Sequence, residues 1–141
     1  MTKPAKKFQM IGYDREDFEI VASLLQDSIS IVSDFCFDQE DFQFFMILGR
    51  YKREEKNQIN SNKRSLSGVC FDNVNKVVKK KFPALNSSAT LNLLSIIKNK
   101  DHVHIYFSGN IELKLIGRHI SIRLDDLNQE WPTIFTPKHD L

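Results

Sequence analysis

His102-Val103-His104-Ile105-Tyr106-Phe107-Ser108-Gly109-Asn110-Ile111-Glu112-Leu113-Lys114-Leu115 is the stretch on which the reading of the fold turns. Val103, Ile105 and Phe107 alternate with His102, His104 and Tyr106 before Ser108-Gly109-Asn110, and Ile111, Leu113 and Leu115 alternate with Glu112 and Lys114 after it. Period two on both sides specifies two half-buried antiparallel strands. A two-residue turn at Gly109-Asn110 would set Phe107 against Glu112 and Ile105 against Lys114, mixing apolar and charged side chains on one face. A three-residue loop pairs Phe107 with Ile111, Ile105 with Leu113 and Val103 with Leu115, leaving Tyr106 opposite Glu112 and His104 opposite Lys114. Asn110 is therefore expected in the left-handed region, closing a bulged turn. The stretch from His102 to Leu127 reads as the edge of a sheet.

Downstream, Gly117 lets the chain bend before the alternating run His119 to Leu124, and Asp125 to Trp131 suits a short helical turn capping the sheet. Upstream, Thr90 to Ile97 and Arg64 to Phe71 have strand character, with a loop from Phe82 to Ser88. The run Val74, Val77, Val78 among Lys76 and Lys79 to Lys81 fits either a strand or a basic helical turn. Residues 49 to 63 are polar and aperiodic, as in an extended loop. Ile29 to Phe37 and Phe42 to Leu48 flank the polar loop 38 to 41, predicting a hairpin that faces Phe37 with Phe42, Phe35 with Phe44 and Ile31 with Leu48. Asp14 is a good N-cap, with Asp17 at the third helical position. Phe18, Val21, Ala22 and Leu25 recur at helical spacing, widened by Ile20 and Leu24, so 15 to 26 reads as an amphipathic helix on the sheet. Residues 1 to 13 form a tail and lead-in, 14 to 131 one domain, and 132 to 141 an extended tail held by Pro132 and Pro137.

The chain has 141 residues, 41% hydrophobic and 27% charged, which suits one globular domain with a core that needs no staples. Cys36 and Cys70 lack a CxxC partner and read as free thiols of a reducing compartment. The basic N-terminus has no apolar signal run, and no segment approaches the length of a membrane span, so a cytoplasmic protein is expected. The net charge of +2 conceals a segregation: residues 14 to 41 hold nine acids against Arg15 alone, and residues 42 to 100 hold twelve bases against Glu54, Glu55 and Asp72. A basic side able to meet an anion follows.

The helix opening Asp14-Arg15-Glu16-Asp17 with Leu25-Gln26-Asp27-Ser28, the run Leu91-Asn92-Leu93-Leu94-Ser95-Ile96, the strand pair around Phe107-Ser108-Gly109, and Leu124-Asp125-Asp126-Leu127 with Trp131-Pro132-Thr133 and Pro137-Lys138-His139 resemble an uncharacterised alphaproteobacterial family, a domain of unknown function of about this length. The resemblance covers nearly the whole chain and rests on structural patterns, not catalytic ones. The Lys-rich and Asn-rich loops are heavier here than the family leads one to expect. It implies a small cytoplasmic protein and no mechanism.

The chemical candidates are few. His102 and His104 share a strand face, a spacing that lets two imidazoles hold a metal, with His119 or Glu112 to complete the set. An exposed strand face is naturally polar, so no metal, cofactor or catalytic residue is assigned. The thiols sit in apolar runs, no Ser lies in a nucleophile elbow, and the five glycines form no phosphate loop. An enzyme is the less favoured class. Arg50, Lys52, Arg53, Lys56, Lys79, Lys80 and Lys81 are the candidate anion site, for nucleic acid or an anionic membrane surface. Tyr51 and Phe82 beside them are too few for a stacking platform. Trp131 reads as a plug over the sheet or, with Phe135, as an anchor for a partner. The resulting expectation is an α+β domain: an N-terminal helix on a bent, mainly antiparallel sheet of about six or seven strands, with a partial barrel resembling the pleckstrin-homology type as one form of it. Its expected role is a non-catalytic binding or scaffold module acting through protein contacts or self-association, with anion binding as the alternative.

Overall fold

A computed structural model of the chain describes residues 9–51, 64–84 and 86–127. The elements in order are β1 (Gln9–Gly12), α1 (Arg15–Leu25), β2 (Ile29–Ile31), β3 (Cys36–Asp38), β4 (Gln43–Tyr51), β5 (Arg64–Asp72), β6 (Lys76–Lys80), β7 (Thr90–Lys98), β8 (His102–Phe107), β9 (Ile111–Ile116) and β10 (Ser121–Asp126). The β8–β9 register pairs Phe107 with Ile111, Ile105 with Leu113 and Val103 with Leu115, as the alternation requires. Asn110 takes φ 61° and Gly109 φ 80°, both left-handed. The hairpin is not a sheet edge, because β6 pairs with the far side of β9.

The expectation of an α+β domain with six or seven strands is overturned. Among the described residues, ten antiparallel strands form one open sheet in the order β1-β10-β5-β4-β2-β7-β8-β9-β6, with β3 also beside β4, and there is one α-helix. Three strands account for the difference. Gln9–Gly12, inside the supposed lead-in, is a strand on β10. The run Ile29 to Phe37 is split in two by a 3-10 turn at Val32–Asp34. The undecided Lys-Val run is the edge strand β6, where one unpaired side leaves the alternation weak. The split also moves the hairpin register by two residues, to Phe37 opposite Phe44 and Asp38 opposite Gln43. The Asp38 carboxylate accepts from the Glu40 and Asp41 amides, and Phe42 turns left-handed at φ 54°, so Phe42 belongs to the loop. Asp125 and Asp126 continue β10, not a helix, and residues 128–131 lie outside the described residues.

One core receives side chains from both halves of the sheet: Phe44, Met46, Val69, Phe71, Ile122 and Leu124 on one side, Leu93, Ile96, Val103, Ile105, Leu113 and Leu115 on the other. Helix α1 adds Phe18, Val21 and Leu25. Its start is fixed by a reciprocal box in which the Asp17 amide donates to Asp14 Oδ1 at 2.9 Å and the Asp14 amide to Asp17 Oδ2 at 3.3 Å. Ile20 and Leu24 do not widen the buried stripe; they are 50% and 37% exposed. At about 100° per residue, Ile20 lies roughly 200° from Phe18, on the opposite side of the helix.

Candidate functional site

Two outward-facing surfaces of the sheet carry chemistry. The first spans β3, β4, β5 and β10, where the registers align Cys36, Phe45, Cys70 and Arg123 in one row and Ile47, Gly68 and Asp125 in the next. Their neighbours along the strands, Met46, Val69 and Leu124, point into the core. Gly68 contributes no side chain, and the nearest atoms to a Cβ there would be those of the Leu127 side chain, from 3.6 Å. The gap opens a cavity of about 300 Å³ over Phe45, Ile47 and Gly68, with Cys36 and Cys70 beside them and Asp34, Arg123, Asp125 and Leu127 around them. The Leu127 amide donates to the Leu66 carbonyl at 2.8 Å, which extends the β10–β5 ladder and fixes that wall.

Asp72 sets the polar side of this cavity. Its carboxylate accepts from Gln43 Nε2 at 2.8 Å and from Arg123 Nε at 3.0 Å, across two strand pairs. Arg123 Nη2 also lies 3.2 Å from Cys70 Sγ. Burial, then the Asp72 charge, push the Cys70 thiol above its ordinary range, and Arg123 offsets only part of this. Burial, then Asp38, do the same for Cys36. Both sulfurs are therefore protonated near neutral pH and behave as small apolar groups. The arrangement suits recognition of an apolar group, not nucleophilic attack.

The second surface spans β8, β9 and β6. His102, His104 and Tyr106 form a column on β8, flanked in register by Ile116, Lys114 and Glu112 on β9 and then by Lys76, Val78 and Lys80 on β6. The His104 and Tyr106 rings stack at 4.8 Å between centroids and 20° between planes. Glu112 bridges His104 Nε2 at 3.0 Å and Lys80 Nζ at 3.1 Å. His102 sits between Asp101, 2.8 Å from Nδ1, and the Asn99 amide, 3.1 Å from Nε2. That pair of partners fits the tautomer protonated on Nδ1. Among the described residues no three His, Cys, Asp or Glu side chains group to hold a metal; His104 does meet Glu112, while His119 lies in the exposed β9–β10 turn.

The candidate anion residues are not gathered by the sheet. Arg50 lies on β4 and Lys79 and Lys80 on β6, with β2, β7, β8 and β9 between those strands in sheet order. Lys81 follows β6 at φ 56°. Lys52, Arg53 and Lys56, like Trp131 and Phe135, lie outside the described residues. Exposed lysines on an edge strand also discourage strand addition by another chain. Phe45, Gly68, Arg123 and Lys114 are not among the candidate site residues read from the sequence. Gly68 is the one with a signal, since a glycine inside an apolar strand run marks an opening or a close approach.

A larger, shallower hollow of about 570 Å³ lies among turns at Phe42, Asn73, Asn75, Asp101 and Gly117 to His119. Bonds from Val74 N to Phe42 O, from Gly117 N to Asp101 O and from Asn73 Nδ2 to His119 O tie those turns together. It is a packing feature of the connections. Among the described residues no helix is long and apolar enough to cross a membrane.

A family model described as "Protein of unknown function (DUF2948)" matches residues 8–139. No curated protein and no solved structure matches the chain.

Proposed function

The chain belongs to the DUF2948 family, to which no function is assigned, and from that premise we propose that it is a non-catalytic binding module acting through protein contacts. The observation that carries this reading is the opening at Gly68, a concavity over Phe45 and Ile47 on an outward sheet face. Its volume is at the lower end of ligand sites, suited to one side chain of a partner segment. The floor is apolar and the sulfurs are protonated, so an apolar side chain is the occupant the cavity favours. Asp125 at its side favours a cationic neighbour on the same segment. Ile11, next to Arg123 in the β1–β10 register and 55% exposed, extends the contact surface beyond the cavity.

The test is selection of displayed peptides on the wild-type protein, followed by binding to Gly68→Val. A Cβ at Gly68 makes only an ordinary contact with a side chain, and a β-branched residue suits a strand, so the variant fills the cavity while keeping the fold. The expected result is a shared apolar-basic motif whose affinity falls at least tenfold in Gly68→Val at an unchanged melting temperature. Failure to enrich any motif, or binding indifferent to Gly68→Val, overturns the proposal.

A further inference from the structure

We propose that the outward face of β8, β9 and β6 is a binding site for single-stranded nucleic acid. Tyr106, His104 and His102 supply the ring surfaces, and Lys114, Lys76 and Lys80 the cations. This site lies away from the cavity at Gly68 and stands independently of it.

Three observations point the same way. The first is the column itself: successive residues on one face of a strand stand roughly 6.5 to 7 Å apart, and three consecutive outward positions of β8 carry ring side chains. Sheets that bind single strands stack bases on such rings, tolerant of sequence because every base has a π-face. The second is exposed apolar surface in the same row. Ile97, His104, Lys114 and Val78 are cross-strand neighbours, and Ile97 and Val78 are 38% and 39% exposed. Apolar carbon at both ends of this polar row is surface that a base can cover. The third is the placement of charge. Lys80 is shared with Glu112, but among the described residues neither Lys76 nor Lys114 is in an ion pair, so both remain able to meet phosphates.

The acids on the face oppose this attraction only in part. Glu112 is occupied by His104 and Lys80, and Asp101 by His102, with the Asp101 charge also felt by Lys114 outside ion-pair distance. The rings are half-buried, and because His104 and Tyr106 stack on one another while His102 meets His104 edge-on, the face left to a base is that of Tyr106 turned away from His104. That geometry stacks flat ligands and is poorly suited to insertion into a lipid surface.

The test is fluorescence anisotropy with labelled 12-nucleotide single-stranded RNA and DNA, at low and at moderate salt. The comparison set is wild type, Tyr106→Ala, Tyr106→Phe, Lys114→Glu and Arg15→Glu, with a duplex of the same sequence and phosphatidylserine vesicles as alternative ligands. Binding is expected to weaken with salt at a log-log slope of about −0.7 for each phosphate neutralised, so roughly −2 for three lysines. Tyr106→Ala should lose about tenfold or more, as removal of a stacking ring does, and Tyr106→Phe should retain affinity. Lys114→Glu should weaken binding, and Arg15→Glu, the same charge change on the helix, should not. The proposal is overturned by absence of binding at low salt, by equal affinity for the duplex, by vesicle binding without oligonucleotide binding, or by equal losses in Lys114→Glu and Arg15→Glu. Matching melting temperatures of Tyr106→Ala and Tyr106→Phe exclude unfolding as the cause of a loss.

Discussion

The Phe35 and Phe107 rings meet with centroids 5.9 Å apart and planes at 53°, although Phe107 ends β8 and Phe35 precedes β3, the partner of β4. In sheet order β4 and β8 are separated by β2 and β7, so the contact joins the two halves of the sheet across the core. Phe35 also meets Phe44 at 6.0 Å and Phe82 at 5.4 Å. Phe35→Ala should cost about 3 to 5 kcal/mol, as a fully buried phenylalanine does, and Phe35→Leu much less. Urea unfolding of the two variants measures the difference, and equal midpoints would refute the bridging role.

Among the four glycines Gly12, Gly68, Gly109 and Gly117, Gly117 makes the tightest backbone approach. A Cβ there would stand 2.1 Å from the Asn73 carbonyl oxygen, which is backbone and cannot rotate away. Gly117→Ala should destabilise by at least about 2 to 3 kcal/mol, as overpacking does, in contrast to Gly68→Ala, which has room. Thermal unfolding of the pair gives the comparison.

The first turn of α1 sets part of the acid response. The Tyr13 amide, then that of Asp14, donate to the Asp17 carboxylate and hold its pKa below the ordinary aspartate range. A carboxylate depressed in the folded state contributes stability above its unfolded pKa and loses it as the pH falls through the folded value. The Asp17→Asn variant should therefore differ most from wild type near neutral pH and converge with it in strong acid. Asp14→Ala, which removes the N-cap acceptor, should cost about 1 kcal/mol at neutral pH. Stability curves against pH for both variants test these signs.

The two thiols should be slow. Both are pushed up by burial, so near pH 8 each should react with a disulfide reagent more slowly than free cysteine, with rates still climbing above pH 9. Phe45 stands between them in the cross-strand row, which places their Cα atoms roughly two strand spacings, about 9 to 10 Å, apart. That exceeds the reach of a disulfide, so oxidation should leave no intramolecular bridge in the folded monomer, as intact mass after alkylation would show.

Asn110 tests the hairpin. At φ 61° it should accept Gly with little change, whereas Val, which is strained there, should destabilise by about 1 to 2 kcal/mol. Chemical denaturation of the two variants separates local strain from loss of a side-chain contact.

The strongest periodicities were legible because they are local. Alternation alone gave the β8–β9 register and the left-handed Asn110, since a slip of one residue would turn Val103, Ile105 and Phe107 out to water. Asp14 and Asp17 announced the helix start through a box that spans three residues. The β3–β4 register was missed by two residues because two hidden features competed with the pattern: the 3-10 turn at Val32–Asp34 and the Asp38 turn that takes Phe42 out of the strand. A shift of two keeps every side chain on its face, so alternation cannot detect it.

What the chain by itself determined is therefore its period-two strands, its helix start and its turn, all written in spacings of a few residues. Only the tertiary structure decided that β6 closes against β9, that Arg50 lies on a strand far from Lys79 and Lys80, and that Lys114 and Lys76 stand beside a ring column on β8. It also decided that Gly68 opens over Phe45 and that Asp72 holds Arg123 beside the opening. Cross-strand neighbours are chosen by the pairing order of distant segments, and that order follows from how the whole sheet folds around one core, a property no short window of sequence contains.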